Sequence, residues 1–219
     1  KNILHGNSLI TGVEDAEELE DYKKELEEIK KLRESIKEYY DKEDISASDK
    51  KKLQEMESQL KELRNKINIP LNENLKSYFG ENLDLEHPFN WEVEFTNVTE
   101  EEGFDVVIGN PPWGADFNEK EINFFGYTYK DNIVKDQFDS YSLFMYNSIE
   151  KLLKAGNRFG FIVPNTLILN PKYGALRFYI LSNTKIEYII NLGENIFEGV
   201  NQPCMIIILS KEGSESFRY

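Results

Sequence analysis

A short apolar run, Phe104-Asp-Val-Val-Ile108, constrains the fold of this 219-residue chain more than any other segment. The run stops at Gly109, so it is too short for an ordinary helix and has the composition of a strand that is buried on both faces. Such strands occur in parallel sheets whose two faces are covered by helices. The residues just after the strand matter most, because ligands bind at the carboxyl edge of an open α/β sheet.

The chain after this run alternates between helix and strand patterns. Residues 118–137 are polar and aromatic and predict a loop. Apolar residues then recur at steps of three and four, which predicts a helix at 140–154 with Gly156 as its C-cap. The other predicted elements are a strand at 159–163 stopped by Pro164, a helix at 172–181, and strands at 186–192 and 205–209. This alternation predicts an α/β fold with a mainly parallel sheet.

Charged side chains dominate residues 14–66, and apolar residues recur there at helical steps in two stripes, at 19–39 and 53–67. A stripe of this kind predicts an amphipathic helix. A polar connector lies between the stripes, and its Ser48 is placed to cap the second helix. The two helices should therefore fold back on each other as an antiparallel hairpin.

We interpret this hairpin as an insertion at 14–68, closed by Asn68-Ile69-Pro70, in a core formed by residues 1–13 and 69–219. Charge-rich stripes of this spacing usually pack on each other in a solvated arm. A contact of the arm with a partner or with DNA remains an alternative.

Two short strands are predicted on either side of the hairpin. Residues 2–10 have the pattern of a strand with a turn at Gly6-Asn7. Residues 91–95 alternate apolar side chains with glutamates, as in a half-buried strand.

The chain carries 40 acidic and 26 basic side chains, a formal net charge of -14. Residues 69–109 hold ten carboxylates and one base, whereas residues 110–219 hold twelve and eleven. A protein that grips DNA by itself neutralises phosphates with Lys and Arg, so most of the grip on any DNA substrate must come from elsewhere.

No run approaches the roughly 18 to 20 apolar residues of a membrane span, and the start lacks the apolar run of a signal peptide. We expect a soluble cytoplasmic protein with no membrane partner. The start also lacks Met and enters an apolar run at once, as if the chain began inside a domain. The single cysteine, Cys204, lies in an apolar run and predicts a small buried side chain and no metal site.

The sequence Asn110-Pro111-Pro112-Trp113, which we call the tetrad, follows the first strand directly. Two successive prolines fix φ and have no N–H, so the backbone presents carbonyl acceptors in a stiff frame. The Asn110 side-chain oxygen is another acceptor, and Trp113 offers a flat stacking surface. A primary amine on an aromatic ring is the ligand that suits this set.

Adenine carries such an amine, but the lone pair of N6 is delocalised into the ring. Two acceptors that hold the two N6 hydrogens would free this lone pair to attack a methyl group, by positioning and electrostatics alone. A base in a duplex must be flipped out to reach such a site, where Trp113 would stack on it. In the alternative reading the prolines only end the strand and Trp113 is part of the core.

The segment from Phe104 to Trp113 resembles the catalytic motif of amino-methylating methyltransferases. Its surroundings resemble the gamma-class adenine-N6 DNA methyltransferases of the type IIG restriction-modification enzyme family. Other family segments follow in order: the third motif at 2–10, the approach to the catalytic strand at 90–95, the helix that lines the cofactor pocket at 139–144, and two distal motifs at 159–165 and 191–197. The resemblance covers about residues 1–10 and 88–211, and this ordered series is more specific than any one motif.

The resemblance implies a Rossmann-like S-adenosylmethionine-dependent methyltransferase core that is incomplete at its N-terminal side, with its last strand antiparallel. It implies that the whole tetrad is catalytic and that Phe197 stacks on the flipped base opposite Trp113. The residues that it implies for S-adenosylmethionine are Asn7, Asn110, Pro111 and Phe144. Ordinary readings also remain: Asn7 as a turn residue, Phe144 as helix core and Phe197 as a buried loop anchor.

Several parts of the family pattern are missing. No Gly-x-Gly occurs in the chain, so the Gly-rich first motif is absent. The acidic residue for the cofactor ribose, the target-recognition domain and any nuclease motif are absent too. We therefore expect a piece of a larger prokaryotic enzyme, which holds double-stranded DNA through the missing target-recognition domain. Its partners would be the other domains of that polypeptide, and the isolated piece should be inactive.

Two alternative functions remain open. A glutamine in protein or the N2 amine of guanine in RNA also suits an Asn-Pro-Pro-aromatic site, although Phe197 and the distal motifs favour DNA adenine. A module that holds DNA or a partner without catalysis is the second alternative. The missing Gly-rich loop favours it for this piece, whereas the intact tetrad favours an enzyme.

Overall fold

The computed structural model describes residues 6–13, 17–42, 44–80, 83–100, 102–129, 133, 139–199 and 201–212. The chain divides into two compact units, Lys1–Glu100 and Glu101–Tyr219. Helices and a mixed sheet are both present, so the predicted α/β class is confirmed. No helix in the described ranges is long and apolar enough to cross a lipid bilayer.

The described elements of the first unit are all helical. They are a 3₁₀ helix at Glu17–Tyr22 and the helices α1 (Lys23–Tyr40), α2 (Ala47–Leu71), α3 (Lys76–Phe79), α4 (Leu83–Glu86), α5 (Trp91–Glu94) and α6 (Thr96–Glu100).

The second unit contains the sheet. Its helical elements are α7 (Glu119–Thr128), α8 (Ser140–Asn147), a π-helical turn at Ser148–Leu152, α9 (Thr166–Leu169), a 3₁₀ turn at Pro171–Tyr173 and α10 (Gly174–Asn183). Its strands are β1 (Phe104–Gly109), β2 (Leu153–Pro164), β3 (Thr184–Gly193) and β4 (Cys204–Lys211).

Helices α1 and α2 are the two predicted arms of the hairpin, and they pack on each other through their apolar stripes. Their seam is continuous with other parts of the unit, in a buried cluster of Val13, Ile29, Ile67, Leu71 and Val93. The base of the hairpin therefore shares its core with the segment around Val93. The predicted boundaries of the insertion stay a prediction.

The start and the end of α2 differ from the prediction. The cap is Ser46, whose Oγ accepts a hydrogen bond from Asp49 N (3.1 Å), while the Asp49 carboxylate accepts from Ser46 N (3.2 Å). Ser48 was the wrong choice because an acidic partner three residues later is needed to complete such a capping box, and Ser48 has none. The helix also passes Pro70 and ends at Leu71.

Buried Asn90 connects three segments of the first unit. Its Oδ1 accepts from Thr11 Oγ1 (2.9 Å) and Gly12 N (2.7 Å), and its Nδ2 donates to Asn68 Oδ1 (2.9 Å) and Asn72 Oδ1 (3.0 Å). Four hydrogen bonds satisfy the whole amide, as its burial requires.

The strand predicted at 91–95 is wrong, because this segment forms the helical turn α5. Glu94 N donates to Asn90 O (2.9 Å) and Phe95 N to Trp91 O (2.8 Å). The rings of Trp91 and Phe95 stack with centroids 5.5 Å apart, which is a contact of residues i and i+4 on a helix. The alternating pattern was ambiguous because three apolar residues at every second position also suit this turn.

Of the strand predicted at 2–10, residues 2–5 lie outside the described residues. Residues 6–10 form a turn, with a single parallel bridge from Asn7 to Pro88. Asn7 N donates to His87 O (2.7 Å), and Ile10 N closes the turn onto Asn7 O (3.0 Å).

The sheet has the strand order β1-β2-β4-β3. β1 is parallel to β2, whereas β4 is antiparallel to both of its neighbours. Three strands thus run in one direction and β4 in the other. The predicted antiparallel last strand is confirmed, as are the strands at 159–163 and 186–192, all with wider bounds. The helix predicted at 172–181 is confirmed as α10, which begins and ends two residues later than predicted.

Among the described residues, helices cover one face of this sheet. Side chains on that face, such as Phe159, Val163 and Leu209, are buried. The other face is bare: Val106 is 58% exposed and Ile108 78%. The prediction that β1 is buried on both faces is therefore wrong within this chain, because β1 is an edge strand and no described helix covers its second face.

Two local predictions in the second unit are also wrong. The loop predicted at 118–137 contains α7, which Asn118 caps by accepting from Glu121 N (3.0 Å); residues 130–132 and 134–138 lie outside the described residues. The helix predicted to reach 154 ends earlier, and Gly156 lies inside β2. Gly156 has φ +78 and sits where the register with β1 shifts, so its backbone freedom serves a bulge and not a helix cap.

Glu94 forms a buried ion pair in the first unit. Its side chain is 4% exposed and accepts a hydrogen bond from Arg64 Nε (2.9 Å), while a second guanidinium nitrogen of Arg64 contacts the other carboxylate oxygen. Arg33 Nη2 lies 3.6 Å from Glu94 Oε2. Since Arg33 is on α1 and Arg64 on α2, one carboxylate holds both helices to α5.

We predict that Glu94→Gln lowers the free energy of unfolding by about 3–5 kcal/mol, because it leaves two arginines without their buried counter-charge. Urea unfolding followed by circular dichroism measures this change. Lys66→Gln is the matched control, since it breaks the exposed pair between Lys66 and Glu25 that joins the same two helices. Equal losses in the two variants would contradict the prediction.

Candidate active site

The tetrad begins directly after β1, at the edge where β1 and the parallel strand β2 both end. Asn110 and Pro112 are exposed, Pro111 is buried and Trp113 is partly buried. Asn110 is therefore accessible at the start of the tetrad, next to the buried Pro111. This is the edge at which ligands bind in open α/β sheets.

Two contacts fix Trp113. Its Nε1 donates to the carbonyl oxygen of Ile162 on β2, at 3.3 Å. Its ring meets Phe197, in the loop after β3, edge to face, with centroids 5.6 Å apart and planes at 77°. The structure thus brings together the two aromatic residues that the sequence predicts to stack on a base.

The two rings do not have the arrangement of a sandwich. A base between two parallel rings needs two contacts of about 3.5 Å, hence rings about 7 Å apart. At 5.6 Å and 77°, Trp113 and Phe197 contact each other directly. For a base to lie between them, one ring must turn and move outward. Trp113 is held by its hydrogen bond to Ile162, so we expect Phe197, in the loop after β3, to be the ring that moves.

The hydroxyl of Ser140, the first residue of α8, contacts the loop that carries the tetrad. It donates to the carbonyl oxygen of Pro112 (2.6 Å) and accepts from Ala115 N (3.3 Å). Ser140 is 1% exposed. Sequence reasoning missed this residue, because its partners lie 25 and 28 positions away and no local pattern announces them.

Asp139, just before α8, is the centre of a polar group. It accepts a hydrogen bond from the Tyr173 hydroxyl and forms an ion pair with Lys172 Nζ (3.0 Å). Burial, together with the hydrogen bond to Asp139, raises the pKa of Tyr173 to about 12. Burial also raises the pKa of the neighbouring Tyr141 hydroxyl. Both tyrosines therefore stay protonated near neutral pH and can act as donors.

The carboxyl ends of β2 and β3 are joined by two asparagines. Asn165 Nδ2 donates to Asn191 Oδ1 (3.0 Å), which also accepts from Gly193 N (3.1 Å). Both residues belong to the distal motifs noted in the sequence. They extend the polar edge that starts at Asn110 along the sheet.

Phe144 is partly exposed, although every other residue of α8 is buried. An aromatic ring that stays accessible on such a helix is available to a ligand, as the predicted cofactor role requires. Asn7, the other predicted cofactor residue outside the tetrad, lies in the first unit. Its Oδ1 accepts from Leu9 N (3.3 Å), so its side chain supports a turn. Its cofactor role stays a prediction.

The family model of the Eco57I restriction-modification methylases matches residues 17–197. RM.MjaORFECS2P of Methanocaldococcus jannaschii is 35% identical over 131 residues, which are 59% of this chain and 10% of that protein. The type II restriction enzyme and methyltransferase RM.Eco57I of Escherichia coli is 30% identical over 122 residues, 53% of this chain and 12% of that protein.

Among solved structures, the type IIG restriction endonuclease BpuSI aligns with a TM-score of 0.42 at 20% identity, covering 52% of this chain and 14% of that one. This chain thus spans only 10% and 12% of the length of the two curated relatives named above. The family match covers most of the sequence, from the hairpin to Phe197. The chain belongs to the Eco57I restriction-modification methylase family.

Proposed function

We propose that the chain is the catalytic part of a restriction-modification DNA methyltransferase that transfers a methyl group to N6 of a flipped adenine. The observation that carries the proposal is the tetrad, with the exposed Asn110 at the carboxyl edge of β1 and the Trp113–Phe197 pair beside it. Family membership supports DNA methylation as the setting.

The chemistry follows from the acceptors that the tetrad presents. The Asn110 side-chain oxygen and the Pro111 carbonyl each take one hydrogen of the N6 amine. The lone pair then localises on nitrogen and points away from the two acceptors. No residue needs to form a covalent bond with the base, because the rate comes from orientation and from fixed dipoles.

The residues proposed for the cofactor are Asn7, Asn110, Pro111 and Phe144. The partly exposed ring of Phe144 on an otherwise buried helix fits the flat adenine end of S-adenosylmethionine. When bound, this cofactor supplies an electrophilic methyl group on a sulfonium. The chain itself lacks Gly-x-Gly, so we place the contacts to the methionine end in another part of the enzyme.

We propose that the working enzyme is a longer, cytoplasmic prokaryotic polypeptide in which a target-recognition domain holds the double-stranded DNA. Two relatives support this, because the region that matches this chain is only 10% and 12% of their own length. The net charge of -14 supports it too, since few phosphates can be neutralised by this chain. The bare sheet face with Val106 and Ile108 is a surface that a neighbouring domain can cover.

The other acceptors considered for the tetrad were protein glutamine and RNA guanine. The names of the relatives favour DNA, since they include a type II restriction enzyme and methyltransferase. Assays of the full-length enzyme with DNA, RNA and protein acceptors decide between them, with mass spectrometry of the methylated product. Methylation of protein or RNA without N6-methyladenine in DNA would refute the proposal.

We predict that Asn110→Ala in the full-length enzyme lowers the turnover of DNA methylation by about 10²–10³-fold or more, because one acceptor of the transition state is lost. Affinity for S-adenosylmethionine should stay within about tenfold of the wild type. Asn118→Ala is the control, since it removes an exposed amide that only caps α7. Near-normal turnover of Asn110→Ala would refute the mechanism.

We further predict that the isolated 219-residue chain binds S-adenosylmethionine weakly or not at all and methylates no DNA. It holds candidates for the adenine end of the cofactor and for the base, but preorganised contacts to the methionine end are missing. Titration calorimetry measures the binding of S-adenosylmethionine, and transfer of a labelled methyl group to duplex DNA measures methylation. Micromolar binding or measurable transfer would contradict this.

A further inference from the structure

Ser140 closes the turn that follows the tetrad. The Pro112 carbonyl and the Ala115 N–H are three residues apart, the separation that a β-turn bridges by a direct hydrogen bond. Here the Ser140 hydroxyl stands between them, donating to the first (2.6 Å) and accepting from the second (3.3 Å). The turn is therefore held open by one side chain from another element.

The backbone of this turn needs such support. Gly114 has φ +64, a backbone conformation that residues other than glycine rarely adopt. Glycine therefore allows the bend but adds no rigidity to it. Trp113, inside the turn, is fixed separately through its indole N–H on Ile162. The loop thus has two anchors, one on β2 and one on α8.

The anchor on α8 is itself rigid. Asp139, adjacent to Ser140, is held by the Tyr173 hydroxyl and by Lys172. Its carbonyl oxygen accepts from Ser142 N (3.0 Å), a backbone hydrogen bond that needs no side chain at position 142. The Ser140 hydroxyl at the start of this helix can therefore hold Pro112 and Ala115, the residues that it contacts, in fixed positions.

We propose that Ser140 is a positioning residue for methyl transfer: its hydroxyl fixes the Pro112 carbonyl and thereby the direction of the Asn110 and Pro111 acceptors. The proposal rests on the proposed function for the chemistry that it supports. Pro111 and Pro112 have fixed φ, so a displacement of the Pro112 carbonyl passes along the stiff backbone to both acceptors. A misplacement of about 1 Å at such a site can cost on the order of a hundredfold in rate.

The test compares Ser140→Ala with Ser142→Ala in the full-length enzyme. Both serines lie on α8, both are buried (1% and 3% exposed) and both donate to a backbone carbonyl at 2.6 Å. Ser140 donates to Pro112 in the tetrad, whereas Ser142 donates to Asp139, the N-cap of its own helix. Ser140→Ala should lower the single-turnover rate about 10- to 100-fold and leave the Kd for S-adenosylmethionine within about threefold. Ser142→Ala should change neither by more than about threefold.

A second measurement does not depend on activity. Amide hydrogen exchange at Ala115 should become faster in Ser140→Ala and stay unchanged in Ser142→Ala, since only the first loses the acceptor of that N–H. If Ser140→Ala does not fold, Ser140→Cys keeps the shape with a weaker hydrogen-bonding group and should give an intermediate rate.

The outcomes separate this inference from the proposed function. Equal rates in the two alanine variants, unchanged exchange at Ala115, or wild-type turnover in Ser140→Cys would overturn the role of Ser140. A wild-type enzyme that methylates no adenine refutes the proposed function instead, and hydrogen exchange still decides whether Ser140 holds the turn.

Discussion

The parallel pairing of β1 with β2 is the constraint on which the site depends. It sets Gly109 opposite Phe161 and so brings the end of β1 beside the end of β2. A side chain at position 109 would crowd the Phe161 ring, whose nearest atom lies 3.1 Å from where a Cβ would be. With this register Trp113 can reach the backbone of Ile162, and the residues after both strands share one edge of the sheet.

The first unit depends on a different kind of interaction. Its buried polar residues, Asn90 and Glu94, each hold more than one segment: Asn90 joins the Thr11 turn to the end of α2, and Glu94 joins both arms of the hairpin. Such groups are costly to bury without partners, so they allow few alternative arrangements. They fix how the hairpin is placed on α5 more narrowly than apolar contacts alone would.

The sequence predicts well those helices and strands that have a regular spacing of apolar residues. The strand before the tetrad, both hairpin helices and the distal strands follow from apolar spacing, and the tetrad is visible as four letters. The strand predicted at 91–95 is wrong because an alternation over five residues suits a strand and a helical turn equally. Asn90, which precedes this turn, bonds to residues that are distant in the chain, so local sequence could not decide between the two. Ser140 and Asp139 stood inside a recognised motif, yet their contacts with Pro112 and Tyr173 are tertiary. The exposure of Ile108 could not be predicted either, since a strand that is buried in this chain and a strand that is buried only by another domain have the same composition.

The exposed apolar residues on β1 give this polypeptide a surface that is suited to self-association. β1 is an edge strand of the described sheet, and its apolar Val106 and Ile108 are exposed. An edge of this kind is a template for a strand from another molecule. Colloidal stability, which depends on concentration and on ionic strength, then becomes a property separate from conformational stability. The acidic surface works against association by electrostatic repulsion. We therefore expect salt that screens this repulsion to favour association through the exposed sheet without unfolding of the described strands.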